Sequence, residues 1–134
     1  MATGPVIAVE QSSSSRADAE DRWTVEWRIT NTGAGSIAIF SARLPHGQFK
    51  SEEQHFEPPL ALDAGEQICF RARVRCVEPP GLVTENAFII FQVVWLNETW
   101  RIFVRIRVVV QQSREPQTVV ELITTQRAGF AAAN

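Results

Sequence analysis

Tyrosine is absent from the 134 residues, and lysine occurs once, at Lys50, so twelve of the thirteen basic residues are arginines. Without a phenol hydroxyl one class of catalytic acid is excluded, and the eight Phe and four Trp suit packing rather than chemistry. Apolar runs of the roughly 20 residues that span a bilayer as a helix are missing. Met1 to Glu10 lacks the basic start and apolar stretch of a signal peptide. Only two cysteines occur, Cys69 and Cys76, seven positions apart on what reads as one strand. That is about 23 Å at ~3.3 Å per residue, beyond the reach of a disulfide. Two free thiols favour a reducing compartment, so a cytoplasmic protein without membrane association is expected. The formal net charge of −2 and sequence pI near 5.7 argue against a surface built to grip nucleic acid.

What is present is alternation. From Arg22 to Thr30, Trp23, Val25, Trp27 and Ile29 share one face and charged or hydroxyl residues the other, which is the pattern of a half-buried strand. Asn31 to Gly35 supplies a turn, and Ser36 to Leu44 a second strand. Periodicity fails from Pro45 to Gly65, which reads as mostly loop with a short strand near Gln48 to Lys50. Gln67 to Glu78 alternates again, with Phe70, Ala72, Val74 and Cys76 inward and Cys69, Arg71, Arg73 and Arg75 outward. Phe88 to Leu96 is almost unbroken apolar sequence rich in β-branched and aromatic residues, which fits a central strand covered on both faces better than a helix.

Asn97-Glu98 reads as a two-residue turn into TWRIFVRIRVVV. That register pairs Trp95 with Trp100, Val93 with Ile102, Phe91 with Val104, Ile89 with Ile106 and Ala87 with Val108, an entirely apolar face expected to meet the core. The other face pairs Val94 with Arg101, Gln92 with Phe103, Ile90 with Arg105 and Phe88 with Arg107. A further strand is expected at Pro5 to Glu10, a polar loop at Ser12 to Ser15, and an extra strand or arm at Thr118 to Gln126. The fold class expected from this pattern is all-β, an antiparallel β-sandwich of about seven strands with a C-terminal extra strand or arm. One domain is expected over residues 1–112, with an arm and tail over 113–134 whose end, Ala131 to Asn134, is disordered.

The stretch WTVEWRITNTG from Trp23 to Gly33 resembles immunoglobulin-like modules whose second strand ends in an Asn-Thr-Gly turn. LDAGE at Leu62 to Glu66, EPPG at Glu78 to Gly81 and a tryptophan-bearing final hairpin fit the same likeness. It covers Arg22 to Gln111 and is similar to bacterial, cell-adhesion-related Ig-like domains and, more distantly, to four-tryptophan Ig-like domains of autophagy receptors. The resemblance implies an antiparallel immunoglobulin-like β-sandwich that binds partners and has no catalytic centre.

Motifs for chemistry are missing: there is no glycine-rich phosphate loop, GxSxG elbow or HExxH, so no enzyme activity, catalytic residue, cofactor or metal is expected. His46 and His55 share a segment with Glu52, Glu53 and Glu57, which leaves a small-ligand or divalent-metal site between His46 and Glu57 as the alternative function. The sequon Asn97-Glu98-Thr99 is read as chance.

The feature that asks for a function is the outer face of the final hairpin, where Phe88, Ile90, Val94 and Phe103 alternate with Arg101, Arg105 and Arg107. Such a face is costly to leave open, and Arg and aromatic groups concentrate at interface hot spots. The expected function is a non-catalytic interaction or assembly module using these seven residues as its partner surface. A homodimer is the leading expectation, with Glu115 or Glu121 of a neighbouring tail meeting the arginines. Two other occupants are weighed: Val119 to Ile123 folding back over the face within one chain, and a foreign protein or anionic ligand. Arg71, Arg73 and Arg75 are read as part of the same cationic feature.

Overall fold

The computed structural model describes residues 4–17 and 21–128, so the tail end from Ala131 to Asn134 lies outside the described residues. Eight antiparallel strands follow one another: β1 (Ile7–Arg16), β2 (Arg22–Asn31), β3 (Ile37–Leu44), β4 (Ser51–Leu62), β5 (Gln67–Arg75), β6 (Val83–Trp95), β7 (Glu98–Val110) and β8 (Pro116–Arg127). They form a three-stranded sheet of order β1-β2-β5 and a five-stranded sheet of order β4-β3-β6-β7-β8. The result is a β-sandwich, as the alternation in the sequence implies.

Alternation decides which side chains meet. On β2, Trp23, Val25, Trp27 and Ile29 are buried, and on β5 Phe70, Ala72 and Val74 face them from the same sheet. The second sheet answers with Ile89, Phe91, Val93, Ile102, Val104 and Ile106. At the centre Trp27 stacks on Phe70 with ring centroids 5.8 Å apart, and Phe70 meets Phe91 edge-on at 5.6 Å. Aromatic pairs in these geometries add about 0.5–1.5 kcal/mol beyond their buried area.

Both open sides of the sandwich are closed. On one side Lys50 and Arg75 exchange backbone bonds of 3.3 and 2.7 Å, and Gln54 Nε2 donates to the Arg71 carbonyl at 2.9 Å. On the other side Gln11 on β1 bonds to Pro116 and Thr118 on β8. Each side of the sandwich is thereby tied across the two sheets.

Several sequence expectations are corrected. Pro45 to Gly65 is not mostly loop, because Ser51–Leu62 is a twelve-residue edge strand. It pairs only with β3, so its irregular segment with a cis Glu57–Pro58 bond and its polar outer side chains are tolerated there. Ser12 to Ser15 is strand rather than loop, since Ser13, Ser14 and Ser15 pair with Glu26, Val25 and Thr24 past a bulge. β6 lies at the middle of its sheet as expected, but only one of its faces is covered.

The final hairpin turns at Leu96-Asn97, not Asn97-Glu98. Both turn residues have positive φ, 49° and 62°, the pattern of a type I′ turn whose twist matches the flanking strands. Trp95 therefore pairs with Glu98 and Val93 with Trp100, two residues away from the expected register. The faces survive this slip, because side chains alternate with period two.

Candidate interaction surface

β6, β7 and β8 build the surface, with β3 completing it. The pairing sets the rows directly. Ile90 is flanked by Arg43 on β3 and Phe103 on β7, and Phe103 by Thr124 on β8. Arg105 stands between Phe88 and Leu122, Arg101 between Gln92 and Gln126, and Arg107 beside Val119. Val94 pairs with Thr99 rather than with Arg101. Phe88, Ile90, Val94, Phe103, Arg105 and Arg107 are half-buried among one another, and Arg101 is exposed. All seven residues expected from the sequence thus share one outer face.

Three members were not legible beforehand. Strict alternation from Ile37 places Arg43 on the core side with Ile39, but a register shift at Phe40 flips the strand, so that Ala42 and Leu44 point inward and Arg43 outward. The break in the pattern IAIFSARL is the only signal for it. Val119 and Leu122 belong to the segment read as a cover for the face. β8 instead pairs along the edge of β7, and these two side chains, 41% and 48% exposed, extend the apolar surface.

The arginines of β5 lie elsewhere. Arg71, Arg73 and Arg75 project from the three-stranded sheet, so the six arginines do not form one cationic feature. An open cleft of about 640 Å³ there is lined by Arg22, Thr24, Ser51, Glu52, Gln54, Arg71, Ala72 and Arg73. Its charges are largely answered within the chain. Arg71 Nε donates to Glu26 at 2.7 Å, Arg75 Nε lies 3.3 Å from Asp21, and Arg28 lies 2.6 Å from Glu10 on the same face. The hydrogen bond to Glu26 raises the Arg71 pKa, and the same bond is the first cause of the lowered Glu26 pKa.

The five-stranded sheet is the opposite case. Among the described residues the guanidiniums of Arg43, Arg101, Arg105 and Arg107 have no hydrogen bond or ion pair, and the one arginine of this sheet that forms an ion pair is Arg127, at the end of β8 beside Glu98. Arg107 Nε is closed off from solvent with no hydrogen-bond partner. A guanidinium partly desolvated by apolar neighbours and unpaired is destabilising unless a counter-charge arrives.

The remaining candidates are placed as follows. Cys69 is exposed and Cys76 buried, on opposite faces as their odd separation requires, and burial pushes the Cys76 thiol pKa up. His46 sits in the turn before β4, where its Nδ1 accepts the Gln48 N–H at 3.1 Å. His55 is on β4, 3.8 Å from Glu53. No group of three His, Cys, Asp or Glu side chains able to hold a metal ion occurs among the described residues. No helix among them is long and apolar enough to cross a membrane.

No protein-family model matches this chain, and no curated protein matches it either.

Proposed function

We propose that the chain is a non-catalytic interaction module whose working surface is the outer face of the five-stranded sheet. The observation that carries this reading is the contrast between the two sheets. Arginines on the three-stranded sheet are met by carboxylates of the same chain, whereas Arg43, Arg101, Arg105 and Arg107 on the outer face of the five-stranded sheet stand unpaired beside half-buried Phe88, Ile90, Val94 and Phe103. Apolar area of this kind stabilises a complex by about 25 cal/mol per Å² once covered, and arginine with aromatic neighbours is the composition of interface hot spots. The resemblance of WTVEWRITNTG to partner-binding Ig-like modules supports the same reading.

The test is sedimentation of the wild type and of the double variant Ile90→Ser, Phe103→Ser over a range of concentrations. Both side chains point away from the core, so the variant keeps the fold. Loss of association in the variant identifies the face as an assembly surface. A wild-type oligomer that sediments unchanged in the variant removes the face as the interface. A wild-type monomer directs attention to a foreign partner.

A further inference from the structure

Resting on that reading, we propose that the occupant of the outer face is an extended protein segment that carries carboxylate and apolar side chains together on one of its faces, and not a second copy of this chain. The argument is charge complementarity. Four guanidiniums, those of Arg43, Arg101, Arg105 and Arg107, lie on the face, and no described carboxylate comes within ion-pairing distance of any of them. A two-fold axis through the β7 row would lay its arginines against their own copies, so like charges would meet in a partly desolvated contact.

Two of the carboxylates that a second copy could offer are engaged, while Glu121 on β8 stands exposed. Glu115 accepts a hydrogen bond from the Ser14 hydroxyl, and Glu98 lies 3.6 Å from Arg127. Exchange of β8 between copies is opposed by its own turn, where Gln111 N–H donates to Glu115 O and Arg114 N–H to Gln111 O, both at 2.9 Å. That closed connection returns β8 to β7 of the same chain.

Geometry narrows the partner further. Arg101, Phe103, Arg105 and Arg107 are successive outward residues of β7, roughly 7 Å apart. An extended segment has the same repeat on each of its faces, so carboxylates two residues apart match Arg105 and Arg107. Apolar side chains at further positions of that same face of the segment meet Ile90, Phe103 and Leu122, which lie beside the arginines. Guanidinium favours this partner, since its fork engages a carboxylate through two hydrogen bonds. A polynucleotide is the poorer match, because beside Phe88 and Phe103 the apolar groups of the face, Ile90, Val94, Val119 and Leu122, are aliphatic and give bases nothing to stack on.

The experiment uses the full chain and three fluorescent probes: a short peptide with glutamate and leucine shared among every second position and serine between them, the same peptide with lysine for glutamate, and a short oligouridylate. Fluorescence anisotropy should show saturable, salt-weakened binding of the glutamate peptide alone. Affinity should fall roughly tenfold or more in Arg105→Glu, Arg107→Glu, where a rim-type charge would give less. Equal binding of the lysine peptide would show that the arginines are not used and would overturn the inference, as would preference for oligouridylate. If no peptide binds while Ile90→Ser, Phe103→Ser dissolves a dimer, the occupant is a second copy, and the surface survives while this inference falls. If no probe binds and the wild type is monomeric, both readings fall together.

Discussion

The carboxamide of Gln11 pairs with the backbone of Thr118 as a neighbouring strand would. Its Oε1 accepts the Thr118 N–H at 2.7 Å, and its Nε2 donates to the Pro116 carbonyl at 3.2 Å. The Thr118 hydroxyl donates to the same Oε1 at 2.7 Å and accepts the Trp27 indole N–H at 3.0 Å. A side chain on one sheet thus completes the edge of the other, and β8 satisfies the polar atom of a tryptophan in the core. Thr118→Val keeps the shape of the residue and removes both hydroxyl bonds. It should cost about 1–3 kcal/mol, read as a lower urea midpoint, because the indole N–H stays buried without a partner. Truncation after Gln111 should yield unfolded or aggregated protein rather than a folded monomer, since it also uncovers the edge of β7. A truncated chain that unfolds cooperatively near the wild-type midpoint would overturn this account of β8.

The β6–β7 hairpin shows what the sequence encodes and what it conceals. Its two faces are legible, because the apolar set at Ala87, Ile89, Phe91, Val93 and Trp95 is specified by alternation alone. Its register is not, because a slip by two residues leaves every side chain on its proper face. The turn decides, and leucine is an unexpected occupant of a position with φ of 49°. The same blindness applies to Arg43 and Leu122, whose faces are set by bulges in β3 and β8 that no propensity marks. Edge strand β4 escapes notice for a related reason, since a strand with one ladder tolerates prolines and charges that a central strand does not.

Leu96 carries a cost that substitution can remove. It is 62% exposed and sits in the left-handed region, where an L-residue with a bulky side chain is destabilised by roughly 1–2 kcal/mol. Leu96→Asn or Leu96→Gly suits the turn and should raise stability by about 0.5–1 kcal/mol. Chemical denaturation reads this as a higher midpoint with unchanged slope. A decrease instead would mean that the Leu96 side chain makes contacts that outweigh its backbone strain, with Gly35 beside it as the place to look.

Acid should weaken the three-stranded sheet through Glu26. Hydrogen bonds from Arg71, then from the Ser12 hydroxyl, hold the Glu26 carboxyl below its ordinary value of 4.5. A carboxyl lowered in the folded state contributes stability that is present above its unfolded pKa and is lost as pH falls through the folded one. Melting temperature should therefore sag below about pH 4.5, and Glu26→Gln should flatten that part of the curve while changing little at neutral pH. The slope should be shallow and weaken in salt, because the Arg71 side chain is 74% exposed. An acid limb of equal steepness in both proteins would assign it to other carboxylates.

Asn31 offers the sharpest test of a single buried side chain. It is fully buried, and its Nδ2 donates to the Gly35 carbonyl at 2.9 Å and to the Leu62 carbonyl at 3.0 Å. Its Oδ1 accepts the Gly33 N–H at 3.1 Å, so every hydrogen-bonding group of the carboxamide that the turn needs is engaged. Its backbone is equally committed, since Asn31 N–H donates to Glu66 O and Gly65 N–H donates to Asn31 O. The residue therefore binds the β2–β3 turn, the end of β4 and the β4–β5 turn at one point. Asn31→Ala leaves the two carbonyls without a donor and should cost about 1–3 kcal/mol for each that stays dry. Asn31→Asp is nearly isosteric yet should be worse at neutral pH, because a carboxylate oxygen then faces two carbonyl oxygens. Acidification protonates the aspartate and restores one donor, so the gap between the two variants should narrow as pH falls. If Asn31→Asp matches the wild type at neutral pH, the carboxamide is replaceable by an acceptor, and its donors do not hold these turns together.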